Sequence, residues 1–154
     1  MAYFAELDEN NNVVDIVFMD NIQTMTNEGE EDETVGIARL PIRGDGHRWL
    51  RFSWNTRGGV HSRGKEPFRY NTPRIGWIYD EDRDMYRESG AKDWFGNDCP
   101  NHTLNETTGL WDAPLPEPEL TSEQVGLGGT YYWDQSAYEA DNTTGWIYLQ
   151  PEHE

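Results

Sequence analysis

The sequence has a single cysteine, no lysine or arginine among residues 1–38 or 93–154, and no run of 18 apolar residues anywhere in its 154. One thiol, Cys99, excludes an intramolecular disulfide and points away from an oxidising compartment; it is expected to be a buried structural thiol. Without a long apolar run, no helical membrane span is expected. The opening MAYFAELDENNN lacks the basic and apolar regions of an export signal, so secretion is not expected either. Apolar residues make up 35 %, little for one large core, which implies extended, surface-rich structure.

Aromatic residues are plentiful by contrast, with 7 Trp, 8 Tyr and 5 Phe. Disordered chains of high net charge are usually poor in them, so these rings are expected to pack. The 29 acids against 12 bases leave a formal charge of −17. All the cations fall between Arg39 and Lys92, so residues 1–38, 39–92 and 93–154 carry −10, +5 and −12. Such a charge favours solubility, while the central positive band remains able to meet an acidic surface.

One pattern recurs: a run with aromatic or β-branched residues, a cluster of Asp, Asn, Glu, Thr or Gly, then another such run. YFAELDENNNVVDIVFMD turns at Asn10–Asn12, with Val14, Ile16 and Phe18 defining one face of its return strand. IGWIYDEDRDMYR, HTLNETTGLWDA and YYWDQSAYEADNTTGWIYL repeat the scheme, with turns at Asp80–Asp84, Asn105–Gly109 and Asp134–Gly145. The expected fold is all-β: several short aromatic-rich β-hairpins in small antiparallel sheets, with long loops and at most one short helix. That helix is expected in DETVGIARL, residues 32–40, with Asp32 as its cap. Isolated hairpins are marginal in water, so these must pack on one another or on a partner. APLPEPEL, residues 113–120, reads as a proline-rich strut. It separates a main β-rich domain, 1–112, from a C-terminal hairpin module, 121–154.

No catalytic or metal-binding pattern survives inspection. Asp80–Asp84 begins like a calcium loop, but Met85 stands where the sharp turn needs glycine and Ala91 where the bidentate acid belongs. His47, His61, His102 and His153 have no zinc-ligand spacing. GLGGT, at 126–130, precedes a strand rather than a helix, so it is a turn and not a nucleotide-binding loop. The reading is therefore non-enzymatic, without cofactor or metal.

The outstanding feature is RFSWNTRGGVHSRGKEPFRYNTPR, residues 51–74, with six basic side chains against one acid. Its glycines and scarcity of apolar residues predict a long, mobile loop. Three uses are open: neutralising the chain's own acidic hairpins, docking on an acidic protein surface, or holding nucleic acid with Trp54, Phe68 or Tyr70 stacking. The acidic flanks weigh against nucleic acid.

YFAELDENNNVVDIVFMDN, NTRGGVH, RIGWIYDEDRDMY and HTLNETTGLWDAPLPEP, followed by YYWD and GWIYL, resemble the small virion proteins of marine tailed bacteriophages of the cyanophage type. The likeness covers most of the chain; RESGAKDWFGNDCPNH, residues 87–102, departs from it. It implies a non-catalytic structural protein on the virion surface, made in the host cytoplasm, and a capsid decoration or cement protein above all. The expected partner is an acidic surface of the major capsid protein or another virion protein, and a symmetric homo-oligomer fits such a role. The expected interface is Trp54, Arg57, His61, Arg63, Lys65 and Arg69. The alternative is a tail- or neck-associated adhesion module, with Trp94, Trp111, Trp133 and Trp146 as carbohydrate-stacking platforms, although the plainer and favoured reading of these four is core pairs of small hairpins.

Overall fold

A computed structural model describes residues 1–152. They divide into two compact units, Met1–Ser89 with Asn105–Leu110, and Gly90–Leu104 with Trp111 onward. His153 lies outside the described residues. The architecture is all-β, built from small antiparallel sheets of short strands. No helix among the described residues is long and apolar enough to cross a membrane.

The first unit is organised by a three-stranded antiparallel sheet in the order β2-β1-β3, formed by β1 (Ala2–Leu7), β2 (Val13–Met19) and β3 (Arg48–Phe52). Asp8 builds the β1–β2 turn by accepting from the backbone N–H groups of Asn10 and Asn12, and Asn11 takes a positive φ of 64° there. The central strand β1 is covered on both sides. Ala5 and Leu7 join Val13, Phe52, Tyr79 and Tyr86 in one cluster, while Ala2 and Phe4 join Met19 and Trp49 in another.

Alternation along β2 is broken by a bulge. Glu6 pairs with Asp15 but Leu7 with Val13, so Val14 is the unpaired extra residue. Val13 therefore takes the core position expected of Val14, which is 39 % exposed. The expected helix forms as α1 (Glu33–Ile37), and the Asp32 side chain accepts from Thr34 N–H as its N-cap.

Two shorter hairpins complete this unit: β4 (Thr56–Arg57) with β5 (Val60–His61), and β6 (Ile78–Asp80) with β7 (Met85–Arg87). The β6–β7 turn, weighed above as a calcium loop, uses its acids internally. Burial pushes the Asp80 carboxyl up, but hydrogen bonds from Arg87 and Arg83 outweigh this and hold it below the usual carboxylate value. No cluster of three potential metal ligands occurs among the described residues.

The division between units passes through the hairpin of β8 (Thr103–Asn105) and β9 (Leu110–Asp112), not through the proline-rich run. The strut expected at 113–120 is part of the second unit. Ala113 and Leu115 pack on its core, and Leu115 C=O accepts from Trp146 Nε1 at 2.9 Å. That core gathers Ala91, Cys99 and Trp133, with Trp111, Tyr138 and Trp146 against them. It lies beside the hairpin of β10 (Thr130–Trp133) and β11 (Trp146–Leu149).

Two further helices correct the expectation of at most one. The first, α2 (Ser122–Gly126), starts on a capping box in which Thr121 and Gln124 satisfy each other's backbone N–H groups. The second, α3 (Gln135–Ala140), is capped by Asp134 and occupies the β10–β11 connection, where the sequence pattern predicts a plain turn.

Burial pushes the Cys99 thiol up to about 11, as fits a structural cysteine. His102 lies edge-on to Trp133, with ring centroids 5.2 Å apart, and its buried Nδ1 has no hydrogen-bond partner. Desolvation lowers its pKa below 6.5, although the Asp112 charge opposes this. As pH falls through 6.5 the unfolded chain binds a proton that the folded one resists, so stability falls with pH there. Urea unfolding of the second unit should show a lower midpoint at pH 5.5 than at pH 7.5, and His102→Gln should flatten that dependence.

Candidate functional site

Of residues 51–74, expected to be a mobile loop, the first two belong to strand β3, and residues 53–74 are fastened at many points. Gly58 and Gly59, with φ of 61° and 78°, make the two-residue turn that β4 and β5 require. Ser53 Oγ donates to Glu66 C=O, Thr72 Oγ1 donates to Ser53 C=O, and Thr56 and Thr72 exchange bonds through Thr72 N–H and Thr72 Oγ1. Asn71, 1 % exposed, is the hub: its Oδ1 accepts from Gly58 N–H at 2.9 Å, and its Nδ2 donates to Tyr86 C=O and Gly109 C=O. One amide thus joins the loop, strand β7 and the tip of the β8–β9 hairpin.

Arg69 and Tyr70 precede the hub with left-handed backbone, φ 58° and 67°, an arrangement worth about 1 kcal/mol or more of strain per residue. The Arg69 side chain holds it in place by donating to Glu33, Asp84 and the Arg51 carbonyl. Burial disfavours its charge, but Glu33 and Asp84 outweigh that and raise its pKa above the usual arginine value. Arg69 is therefore spent within the fold, which removes it from the expected interface set.

The remaining cations separate into two groups. Arg43, Arg48, Arg51, Arg83, Arg87 and Lys92 each face an acid of their own unit within 4 Å. Arg39, Arg57, Arg63, Lys65 and Arg74 are exposed and have no ion-pair partner among the described residues, and all but Arg39 lie in the basic segment. Neutralisation of the chain's own acids, the blandest use for these charges, thus accounts for Arg51 and Arg69 of the segment but not for its Arg57, Arg63, Lys65 and Arg74.

Arg63 and Lys65 stand with Trp54, His61 and Arg69 around one cleft of about 740 Å³. Antiparallel pairing sets Tyr3 opposite Phe52, and Tyr3 stacks on Trp54 with centroids 5.0 Å apart and planes inclined by 17°. Trp54 remains 47 % exposed. Phe68, also in the cleft wall, lies under the guanidinium groups of Arg51 and Arg69 at 5.5 and 5.9 Å. His61 has a positioning role: its Nδ1 accepts from Arg63 N–H at 3.0 Å, which sets the turn that carries Arg63.

Five of the six expected residues therefore line one cleft, and Arg57 lies outside its lining on strand β4. Sequence reasoning passed over Tyr3 and Arg74. Tyr3 is brought to Trp54 by strand register, which the sequence does not display; Arg74 lay in view, beside exposed Ile75, and its charge was the available signal. The cleft offers an aromatic platform with the Arg63 and Lys65 side chains at it, and Glu31, Glu33, Glu66 and Asp84 line it as well. No family model, curated protein or solved structure matches the chain.

Proposed function

We propose that this chain is a non-catalytic interaction protein that docks on an acidic protein surface through the 53–74 segment. The observation that carries the proposal is the exposure of the segment's Arg57, Arg63, Lys65 and Arg74, all without an acid partner among the described residues, in a chain of formal charge −17. Free cations in a chain with so many free carboxylates are a local commitment to an external anion. The Tyr3–Trp54 platform supplies the apolar anchor that such a contact needs. Taken with the motif resemblance, the proposed role is capsid decoration: binding the outer face of a major capsid protein, where many equivalent weak contacts add by multivalency.

The chemistry of the partner can be tested without a particle. A labelled glutamate-rich peptide should bind in fluorescence anisotropy, weaken with rising salt, and compete with particles, whereas a 20-nucleotide single strand should not bind at 150 mM salt. Preferential binding of the oligonucleotide would contradict the proposal and favour a phosphate ligand.

A further inference from the structure

The second unit carries an aromatic surface of its own. Among the four tryptophans weighed as carbohydrate platforms, Trp133 is buried and Trp111 and Trp146 pack against the core, but Trp94 is 66 % exposed and its neighbour Phe95 61 %. Both sit on a turn built by one buried carboxylate. Asp93 Oδ1 accepts from Phe95 N–H and Asn97 N–H, and Oδ2 accepts from Gln135 N–H and Asn97 Nδ2. Burial alone would push the Asp93 carboxyl up, but these bonds hold it below the usual carboxylate value. Trp94 N–H donates to Trp133 C=O, tying the turn to strand β10.

Tyr132 supports the pair from within, with its ring centroid 5.7 Å from Trp94 and 6.0 Å from Phe95. The rings are thus held outward by a folded element, so little conformational freedom remains to be lost on binding. Two adjacent exposed rings are unfavourable in water, which makes them a candidate contact site.

Charge selects the partner. In the first unit arginines lie over ring faces: Arg43 over Trp49, Arg48 over Tyr79, and Arg51 and Arg69 over Phe68. The second unit contains no arginine, and its described residues hold ten acids against one lysine, Lys92, itself paired with Asp98. Its open aromatic faces therefore lack a cation from their own unit and lie in a negative field. Nucleic acid and anionic lipid are repelled by that field, whereas a guanidinium or ammonium group gains from both the ring and the charge.

We infer that the Trp94–Phe95 turn, backed by Tyr132, is a binding site for an arginine- or lysine-bearing segment of a partner protein. This rests on residues separate from those of the 53–74 segment and stands whether or not the docking proposal does. A labelled hexa-arginine peptide at 150 mM salt is the probe, read by fluorescence anisotropy on the full chain. Trp94→Ala/Phe95→Ala should weaken binding about 10-fold or more, although the net charge is unchanged. Phe18→Ala, which removes an equally exposed ring from the first unit, should leave it unaltered. Circular dichroism checks that both variants keep the fold. Equal binding by wild type and the double variant, or equal losses in the double variant and Phe18→Ala, would overturn the inference by reducing the effect to non-specific attraction. Loss of binding to a neutral oligosaccharide in the double variant, with peptide binding intact, would overturn it in favour of a sugar platform.

Discussion

Arg57→Glu/Arg63→Glu is expected to weaken binding to the acidic partner at least about 100-fold, because two attractive contacts become two repulsive ones. Neither side chain has an ion-pair partner among the described residues, so far-ultraviolet circular dichroism and the urea midpoint should stay near the wild type. The matching reversal at Arg69 would not be informative in this way. It would break the contacts to Glu33, Asp84 and the Arg51 carbonyl that hold two left-handed residues, and would confuse a binding defect with a folding one. A further contrast separates platform from charge. Trp54→Ala should slow or abolish stable docking with little change in salt dependence, whereas the double reversal should alter the salt dependence itself. Wild-type affinity in the double reversal would remove the 53–74 segment from the interface.

Asn71→Ala should cost about 3 kcal/mol or more of stability in the first unit. The substitution leaves Gly58 N–H without its acceptor, and Tyr86 and Gly109 C=O without a donor, in a place that is almost closed to water. Each buried polar group left unpaired costs about 1–3 kcal/mol. The loss should appear as a lower urea midpoint together with faster amide exchange in residues 56–61. Asn71→Asp is a sharper version, since it keeps the acceptor for Gly58 but sets an anion against two carbonyl oxygens. If Asn71→Ala unfolded at the wild-type midpoint, the loop would not be fastened by this amide, and the preformed binding surface would lose its basis.

Much of this fold is legible in the sequence because hairpins declare themselves locally. Asp8 with Asn10–Asn12 and Asn105–Gly109 fall where strands must reverse, and the Asp32 cap marks α1. Helices α2 and α3 also had local signals, Thr121 with Gln124 and Asp134 before Gln135. Five or six residues are too few to outweigh the surrounding strand pattern. The bulge at Val14 is invisible to alternation because Val13 and Val14 are the same residue.

What the sequence withheld most completely is the order of the central loop. Its glycines suggest freedom, but they are turn residues, and the bonds that fasten the segment reach from Asn71 to Tyr86 and Gly109 and from Arg69 back to Glu33. Contacts at such separations follow from the tertiary fold alone. The candidate cations, in contrast, were visible from composition. The structure added which of them are already paired, and that distinction turns a basic stretch into a surface with four free charges.

Cosedimentation of the purified protein with particles assembled from the host virus's major capsid protein alone, at low and high salt, tests the central claim most directly. The account predicts saturable binding that weakens as salt rises and that is lost in Arg57→Glu/Arg63→Glu. No binding to such particles, with the protein recovered instead in purified tail or neck complexes, would contradict capsid decoration and make contact with a receptor the leading explanation.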